Sequence, residues 1–214
     1  SLLQALREKV VADVDIYLLK VKLDDKNPYI YKPQISKGRV TESKYYEDLC
    51  AKIMITELNS SRSTNYLRNE RASFLKELKS KTDAVKSLVP RMKGRFIYFF
   101  GGKEQARLVL GNKVFHSSSG DSAFNDFVAG LIDELGAINA LNEGLTIPNV
   151  DGIFIVHMTT KLRDFIQRLG RAIRYRDNFK AKCYIISCVG TMDYVWTKRV
   201  LQESKLKFTE VTLK

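Results

Sequence analysis

The amino-acid sequence predicts an α/β fold built on a mostly parallel sheet. From about residue 92 onward, short apolar runs typical of buried strands alternate with helical segments. Consecutive parallel strands need a crossover connection, and that connection is usually a helix. A strand and a long helical segment come before this alternation. We therefore divide the chain into residues 1–91, which lead into the domain, and residues 92–214, which form the α/β domain.

The leading segment contains one predicted strand and two predicted helical regions. Alternating apolar residues favour the strand, and the loop signals Asn27-Pro28 and Lys32-Pro33 follow it. Tyr46, Leu49 and Ile53 then recur at helical spacing. The predicted elements are a strand at 13–23, a helix from Thr41, a loop at 59–63 and a second helical region at 64–88 with a break near 81–83, which Pro90 ends.

The second part of the chain contains the alternation of strands and helices. Its first strand, from Arg95 to Phe100, is rich in aromatic residues and ends at the turn signal Gly101-Gly102. The predicted strands are 95–100, 113–116, 134–139, 152–157, 181–188 and an edge strand at 207–211; the predicted helices are 103–110, 122–130, 163–174 and 191–205. This order implies βαβ units, with strands buried on both faces by helices.

The charge of the chain points to a polyanionic partner. The formal net charge is +12 and the isoelectric point is about 9.6. The excess lies in two blocks: residues 52–95 carry eleven Lys and Arg against four acids, and residues 161–182 carry eight against two. A solvated helix face explains any single Lys. Two separate basic blocks in one chain favour a nucleic-acid surface.

Cysteine and histidine usage excludes several classes of protein. Cys50, Cys183 and Cys188 are odd in number and form no CxxC pair, which argues against a disulfide framework or a zinc site. Buried, reduced thiols fit Cys183 and Cys188, and they suggest a reducing, cytoplasmic compartment. With two histidines in the chain, no metal-ligand cluster and no Ser/His/Asp constellation is suggested, and we expect His157 to be packed or loop-facing rather than catalytic.

Targeting signals and membrane segments are not expected either. No run of about 18 apolar residues is present, so we expect no membrane partner. No signal peptide is recognisable at the start of the sequence. The chain begins with Ser1 rather than Met, and we therefore expect it to be a piece of a longer polypeptide.

The most informative motif is the segment Gln167 to Arg174, with the sequence QRLGRAIR. On a helix, Gln167, Arg171 and Arg174 lie on one face, and Gly170 leaves room for another backbone to approach. Arginine suits phosphate recognition because its planar fork pairs with two oxygens and keeps its charge. Directed at a γ-phosphate, such arginines stabilise the charge that develops in phosphoryl transfer.

This motif resembles motif VI of superfamily 2 helicases. About twenty residues upstream, LNEGLTIPNV at 141–150 and the strand GIFIV at 152–156 resemble motif V and the strand after it. Residues 95–100 resemble motif IV, and Phe115-His116-Ser117 resembles the next nucleic-acid-contacting segment. The resemblance covers roughly residues 71–205 and looks nearest to the restriction-type and UvsW-like branch of DNA motors. It implies a RecA-like three-layer domain, the second half of an ATP-dependent helicase or translocase.

The resemblance also implies roles for individual residues. Arg171 and Arg174 would be the catalytic arginine fingers, and Gln167 would help to order the ATP cleft. The remaining assignments are Glu143, Gly144 and Thr146 near the nucleotide, and His116, Ser117, Ser118 and Asn139 at the nucleic-acid phosphates. Many relatives carry Asp at the position of Thr146. The implied cofactors are ATP and Mg²⁺, held mainly by the first half of the motor, and the implied partners are that half and nucleic acid, with DNA favoured.

The motifs that would complete an ATP site are not found in this sequence. No GxxxxGK[ST] occurs, and Gly101-Gly102-Lys103 lacks the partner glycine at the required spacing. Asp133-Glu134 imitates a Walker B motif, but without a P-loop we interpret it as the start of a strand. The chain alone should therefore not hydrolyse ATP.

Two functions of other classes fit the same observations. One is a stand-alone nucleic-acid-binding module that keeps a helicase-like fold without catalysis. The other is an interaction domain whose basic blocks dock an acidic protein. Trp196 belongs to the same question, because it could stack on a base. Val200 and Leu201 share its predicted helix, so core packing is the favoured interpretation of Trp196.

Overall fold

A seven-stranded parallel sheet forms the centre of the protein in the computed structural model, which describes residues 13–31, 38–59, 64–116, 121–138, 147, 149–172 and 179–213. The strands are β1 (Asp13–Val21), β4 (Phe96–Phe99), β5 (Val114–His116), β6 (Glu134–Ile138), β7 (Gly152–Ile155), β8 (Lys180–Cys188) and β9 (Thr209–Thr212), while β2 (Ile30–Tyr31) and β3 (Arg39–Val40) form a separate antiparallel pair. The sheet order is β5-β6-β4-β7-β8-β1-β9, and every pairing in it is parallel.

Helices cover both faces of this sheet. They are α1 (Glu42–Asn59), α2 (Asn65–Lys76), α3 (Lys79–Leu88), α4 (Lys103–Leu110), α5 (Ser122–Val128), α6 (Leu162–Ala172) and α7 (Met192–Ser204). Successive side chains of a strand point to opposite faces. In β4, Ile97 and Phe99 accordingly join the apolar cluster that contains residues of α5, α6 and α7, whereas Phe96 and Tyr98 join the cluster that contains residues of α2, α3 and α4. This three-layer arrangement confirms the predicted α/β fold.

The strands and helices of the α/β part agree closely with the sequence prediction. The helix at 103–110 has the predicted bounds, and the central strands β4, β6, β7 and β8 lie within one or two residues of the predicted ones at their starts. Asp133 directly precedes β6 and Glu134 is its first residue, in agreement with the predicted strand start, and Glu134 forms an ion pair with Lys113 at 2.7 Å. The edge strand predicted near the end of the chain is β9.

One predicted break in the helices is wrong. The helical region that precedes Pro90 divides at Glu77 and Leu78, between α2 and α3, and not near Lys81. Leu78 has an extended backbone (φ −56°, ψ 131°) and is buried in the core, which lets the chain turn before α3 starts. Lys81 continues the helix because its side chain is buried against α7 instead of facing solvent.

The first strand is an internal member of the main sheet. β1 pairs with β8 along its whole length and with β9 on its other side. The segment that we assigned to residues 1–91 therefore supplies a strand to the same sheet as residues 92–214. The boundary between the two segments stays a prediction, but their cores are shared.

A buried carboxylate holds the start of α1 against the loop after β1. Glu42 accepts hydrogen bonds from the backbone N–H of Asp24 (3.0 Å) and of Ser80 (3.2 Å), and from the hydroxyl of Tyr29 (2.6 Å). Burial and this carboxylate raise the pKa of Tyr29 far above its ordinary value, so the phenol stays a donor. The contact fixes α1 beside the start of α3. Among the described helices, none is both long and apolar enough to cross a bilayer.

Candidate nucleotide and nucleic-acid site

Segments that carry or adjoin predicted site residues reach the edge of the sheet where the parallel strands end. In open α/β sheets, ligands bind in the crevice outside the carboxyl ends of the strands. Here β4 ends next to Gly101-Gly102, β5 ends at His116, and β7 ends shortly before His157. Helix α6, which carries the QRLGR sequence, begins a few residues after His157. The fold therefore brings three widely separated segments to one edge.

Arg168 seats the motif helix on this edge. It is only 6% exposed, and its Nη1 donates a hydrogen bond to the carbonyl oxygen of His157 at 2.8 Å. Its guanidinium also lies over the ring of Phe99, 5.1 Å from the centroid. Burial lowers the pKa of Arg168 to about 10, so the group stays charged at neutral pH. The sequence analysis gave Arg168 no role, although its position three residues after Phe165 places it on the apolar face of the helix.

The outward positions of the motif helix carry the predicted ligand contacts. Gln167 is half-buried and Gly170 is exposed. A side-chain carbon at Gly170 would have no described atom from outside its own turn of helix within 4 Å. That open space agrees with the prediction that Gly170 lets another backbone approach. Arg171 belongs to the helical backbone of α6, and its side chain lies outside the described part of the chain.

Several predicted site residues fall outside the described part of the chain. These are Ser117, Ser118, Asn139, Glu143, Gly144, Thr146 and Arg174. In the sequence, Ser117 and Ser118 follow β5, Asn139 follows β6, and Arg174 follows α6. Their assigned roles remain predictions.

His116 ends β5 beside two cations. Partial burial and the positive charges of Lys103 and Arg107 lower the pKa of His116 below its ordinary value. A cavity of about 470 Å³ lies next to it and is also lined by Arg107 and Lys113. A neutral imidazole among basic side chains suits a hydrogen bond to an anionic oxygen or to a base. The predicted nucleic-acid contact at His116 thus lies in a positively charged setting.

His157, which follows β7, is neutral at physiological pH. Burial lowers its pKa to about 3, and the charges of Lys81, Arg168 and Lys76 act in the same direction. Its Nδ1 is buried and has no hydrogen-bond partner among the described residues. From the sequence, His157 was expected to be packed or loop-facing, and the structure places it shortly after β7 with a partly buried side chain.

A buried ion pair braces the same edge, and the sequence analysis did not find it. Lys81 Nζ of α3 lies 3.1 Å from both carboxylate oxygens of Asp193 in α7. Ser187 Oγ (3.0 Å) and the backbone N–H of Cys188 (2.9 Å) donate to Oδ2 of Asp193. The network joins helices from the two faces across the end of β8. A charged residue at an apolar helix position, three residues after Leu78, was the signal that could have shown it.

The two glycines after β4 allow α2 to pass close to the site. A side-chain carbon at Gly101 would lie 2.7 Å from the main-chain oxygen of Lys76, and one at Gly102 would collide with the carboxylate of Glu77. Gly102 precedes α4, whose first residue is Lys103. The Gly101-Gly102-Lys103 sequence therefore serves close packing and a helix start, in agreement with the prediction that it is not a P-loop.

Cysteines and possible metal ligands are dispersed among the described residues. Within the described ranges, no three His, Cys, Asp or Glu side chains group in a way that could hold a metal ion. Cys183 and Cys188 are buried free thiols, as predicted, and burial raises the pKa of Cys188 to about 12. Neither is a nucleophile in this environment.

The order of the strands, the helices on both faces and the motif helix at the carboxyl edge define a RecA-like α/β domain. Residues 73–176 match the family model of the helicase conserved C-terminal domain. The match covers 104 of the 214 residues, so this part of the chain is similar to helicase C-terminal domains. No curated protein matches the sequence.

Solved structures of helicases share this fold at low sequence identity. The C-terminal domain of the DEAD-box protein Dbp5 superposes with a TM-score of 0.55 and 20% identity, covering 64% of this chain and 86% of that chain. Dbp5 of S. cerevisiae bound to RNA and ADP BeF3 gives 0.53 and 12%, covering 94% and 78%. A DEAD box protein from the hyperthermophile Methanococcus jannaschii gives 0.52 and 17%, covering 61% of this chain and 38% of that protein. The likeness concerns the fold.

Proposed function

We propose that this chain is the second RecA-like half of an ATP-dependent DNA helicase or translocase. The observation that carries the proposal is the QRLGR sequence on α6, which Arg168 holds at the carboxyl edge of a RecA-like sheet. The match of residues 73–176 to the helicase C-terminal family supports it. In this proposal, the chain forms one wall of an ATP site and the first half of the motor forms the other.

The ATP-facing residues of this proposal come from two segments of the chain. Arg171 and Arg174 stabilise the charge that develops on the γ-phosphate, and Gln167 orders the cleft. Glu143, Gly144 and Thr146, which follow β6 in the sequence, contact the nucleotide in this proposal. ATP supplies the phosphoryl group whose transfer drives the motor. Mg²⁺ is held mainly by the first half in this proposal, because the P-loop and DExx motifs that would bind it belong to that half.

The nucleic-acid contacts of the proposal lie at the neighbouring strand ends. His116, Ser117, Ser118 and Asn139 contact phosphates beside Lys103 and Arg107. DNA is favoured through the resemblance to the restriction-type and UvsW-like branch, and a cytoplasmic location through the reduced thiols. Opening and closing against the first half would move this surface along a strand.

Three results on the purified chain and its gene test the proposal. The reading frame upstream of Ser1 should encode one further domain with GxxxxGK[ST] and a DExx motif. The purified chain should bind a DNA oligonucleotide with an affinity that falls steeply with salt, and it should show no ATP turnover. An RNA oligonucleotide of equal length should bind more weakly.

Other results would replace the proposal. ATP turnover by the pure chain that Arg171→Ala abolishes would make it a self-contained hydrolase. Two results together would make it a stand-alone binding module. They are a start codon immediately upstream of Ser1 with no partner domain encoded nearby, and salt-dependent binding that Arg171→Ala leaves unchanged. Binding of an acidic protein that DNA does not displace would make it an interaction domain.

A further inference from the structure

A groove outside the predicted site runs between α2 and the loop that follows β7. Its volume is about 780 Å³, within the range of about 300–1,000 Å³ that ligand pockets have. One wall is α2, the other is the loop from His157 to Thr160, and α7 and α1 close the remaining sides. The residues that matter for its chemistry are Arg68, Arg71, Lys76, His157 and Trp196.

One face of α2 turns its cations into this groove. Arg68 and Arg71, three residues apart, share one face of the helix, and Lys76, at its last residue, borders the same groove. Arg68 Nη2 forms an ion pair with Glu57 Oε1 at 2.7 Å, and among the described residues that line the groove Glu57 is the one acidic residue. Within the described ranges, neither Arg71 nor Lys76 forms an ion pair with a carboxylate. The groove therefore holds positive charge that the described residues do not neutralise.

Arg71 also has unused hydrogen-bonding capacity. Its Nε is buried without a partner in the described part of the chain, and its Nη1 contacts a weak acceptor, Sγ of Cys50, at 3.7 Å. Burying a guanidinium donor without an acceptor costs free energy, because the donor loses its hydrogen bond to water. An anionic oxygen in the groove would supply the missing acceptor.

The far wall of the groove experiences the same positive field. His157 lies under the influence of Lys76, Lys81 and Arg168, and its imidazole is held neutral as a result of burial and these charges. Asp193 neutralises Lys81, whereas Lys76 faces the groove. An anion placed between α2 and the loop would reduce the mutual repulsion of these cations.

Trp196 adds an aromatic surface to the basic groove. It packs on one side against the apolar cluster that contains Tyr98 and Val85, and it lines the groove on the other. The core-packing interpretation of Trp196 is therefore right for part of the side chain only. Aromatic side chains beside a basic track are the usual means of binding single-stranded nucleic acid, because bases stack on them.

The groove continues into the predicted nucleic-acid edge. Lys76, at the end of α2, lies directly against Gly101, at the end of β4. From Gly101 the same edge leads past α4, with Lys103, to His116. A strand bound at His116 could thus extend over Gly101 into the groove without leaving the basic surface.

We propose that this groove binds a single nucleic-acid strand, with Arg71 and Lys76 on its phosphates and Trp196 against a base. The inference rests on the proposed function and extends it, because α1 and α2 become part of the nucleic-acid track. A strand fits better than an acidic peptide. The aromatic surface of Trp196 and the hydroxyls of Thr159 and Thr160 match a base and a sugar-phosphate backbone, and a run of carboxylates would leave Trp196 unused.

The chain carries its own probe of the groove, since Trp196 is its only tryptophan. The purified chain is titrated with a 15-nucleotide oligothymidylate while tryptophan emission and the anisotropy of a labelled oligonucleotide are recorded. We expect binding to quench Trp196. In the double variant Arg71→Gln, Lys76→Gln, the slope of log K against log salt should become shallower by about 1.4, since each lost phosphate contact removes about 0.7 for single strands.

Two variants separate this inference from the proposed function. Lys93→Ala removes one exposed cation near the opposite edge of the sheet, before β4, and should leave both quenching and slope unchanged. His116→Ala should weaken binding while the bound strand still quenches Trp196. Melting curves establish that each variant is folded. Arg71→Lys keeps the positive charge, so its salt slope should be steeper than that of the double variant and close to that of the unaltered chain.

Each remaining outcome overturns the inference or the function. Binding of the oligonucleotide with unchanged tryptophan emission, and with a normal slope in the double variant, would refute the groove and leave the proposed function standing. No binding of the oligonucleotide at all would remove both. Quenching by a poly-glutamate peptide, and not by oligothymidylate, would identify an acidic protein as the occupant instead.

Discussion

Lys76 and Lys81 lie five residues apart, and the positive charges of both lower the pKa of His157. The two lysines nevertheless differ in burial and in ion pairing. Lys81 is fully buried and shares the carboxylate of Asp193, which Ser187 and Cys188 also hold. Lys76 is half-buried, borders the groove and has no carboxylate partner among the described residues. Lys81 is therefore neutralised inside the protein, whereas Lys76 can pair with an anionic ligand in the groove.

This difference separates scaffold from ligand surface. A buried charge must be paired, because taking an ion out of water costs far more than a lone side chain can recover. Lys81 therefore belongs to the framework that fixes α3 to α7. An unpaired cation at the rim keeps part of its hydration and can exchange it for a phosphate. The contrast predicts large stability effects around Asp193 and binding effects around Lys76.

The largest stability effect is expected from Asp193→Asn. The substitution leaves the Lys81 ammonium buried without a counter-charge, and breaking a buried pair in this way costs about 3–5 kcal/mol. The free energy of unfolding in urea measures it. The matched control is Asp83→Asn. It breaks the exposed Lys79–Asp83 pair in α3, the helix that also carries Lys81, and should cost less than about 1 kcal/mol. Equal losses in the two variants would show that the buried pair does not brace the edge.

A smaller effect is expected where Lys76 passes the end of β4. Gly101→Ala would push its new methyl group against the main-chain oxygen of Lys76, and overpacking of this kind costs about 1–3 kcal/mol. Gly170→Ala is the control of opposite sign. The described residues leave open space around a methyl group there, and Ala is the better helix former, so a gain of up to about 1 kcal/mol is expected. Thermal unfolding compares the two, and a neutral Gly101→Ala would mean that α2 is not held against β4.

Over the first pH unit below 6.5, the smallest effect is a pH dependence from His157. Its pKa in the folded chain is about 3 and in the unfolded chain about 6.5, so between these values the unfolded chain binds the extra proton. Stability should therefore fall as the pH drops below 6.5, by about 1 kcal/mol over the first unit. His157→Gln should remove this part of the slope. His116→Gln, at a half-exposed site, should leave most of it, and the reverse ranking would contradict the burial of His157.

The fold could be predicted from the sequence because its signals are local. Aromatic and β-branched runs such as the one ending at Phe100 form strands buried on both faces, and the intervening helices follow from loop signals and apolar spacing. The break before α3 was misplaced for a tertiary reason. Leu78 leaves the helix to reach the core, and Lys81 stays helical because it finds Asp193, which is 112 residues away in sequence.

The candidate site was also predictable from the sequence only in its local features. Gln167 and Arg171 were placed on the motif helix correctly, since the spacing of a motif depends only on helix geometry. The anchoring role of Arg168 depends on Phe99 and on the end of β7, neither of which is near it in the chain. The groove beside α2 could not be predicted, because its walls come from four elements that only the tertiary fold assembles.

The measurement that tests the central claim most directly is nucleic-acid-stimulated ATP hydrolysis by the longer polypeptide that the proposal predicts, in which this chain follows a first RecA-like half. The account predicts that Arg171→Ala and Arg174→Ala each lower kcat by about 10³–10⁵-fold while DNA binding persists, as loss of an arginine finger does. Arg163→Ala, at an exposed position of the same helix, should keep the wild-type rate. Undiminished turnover in Arg171→Ala and Arg174→Ala would show that α6 does not face the nucleotide, and the proposed function would be wrong.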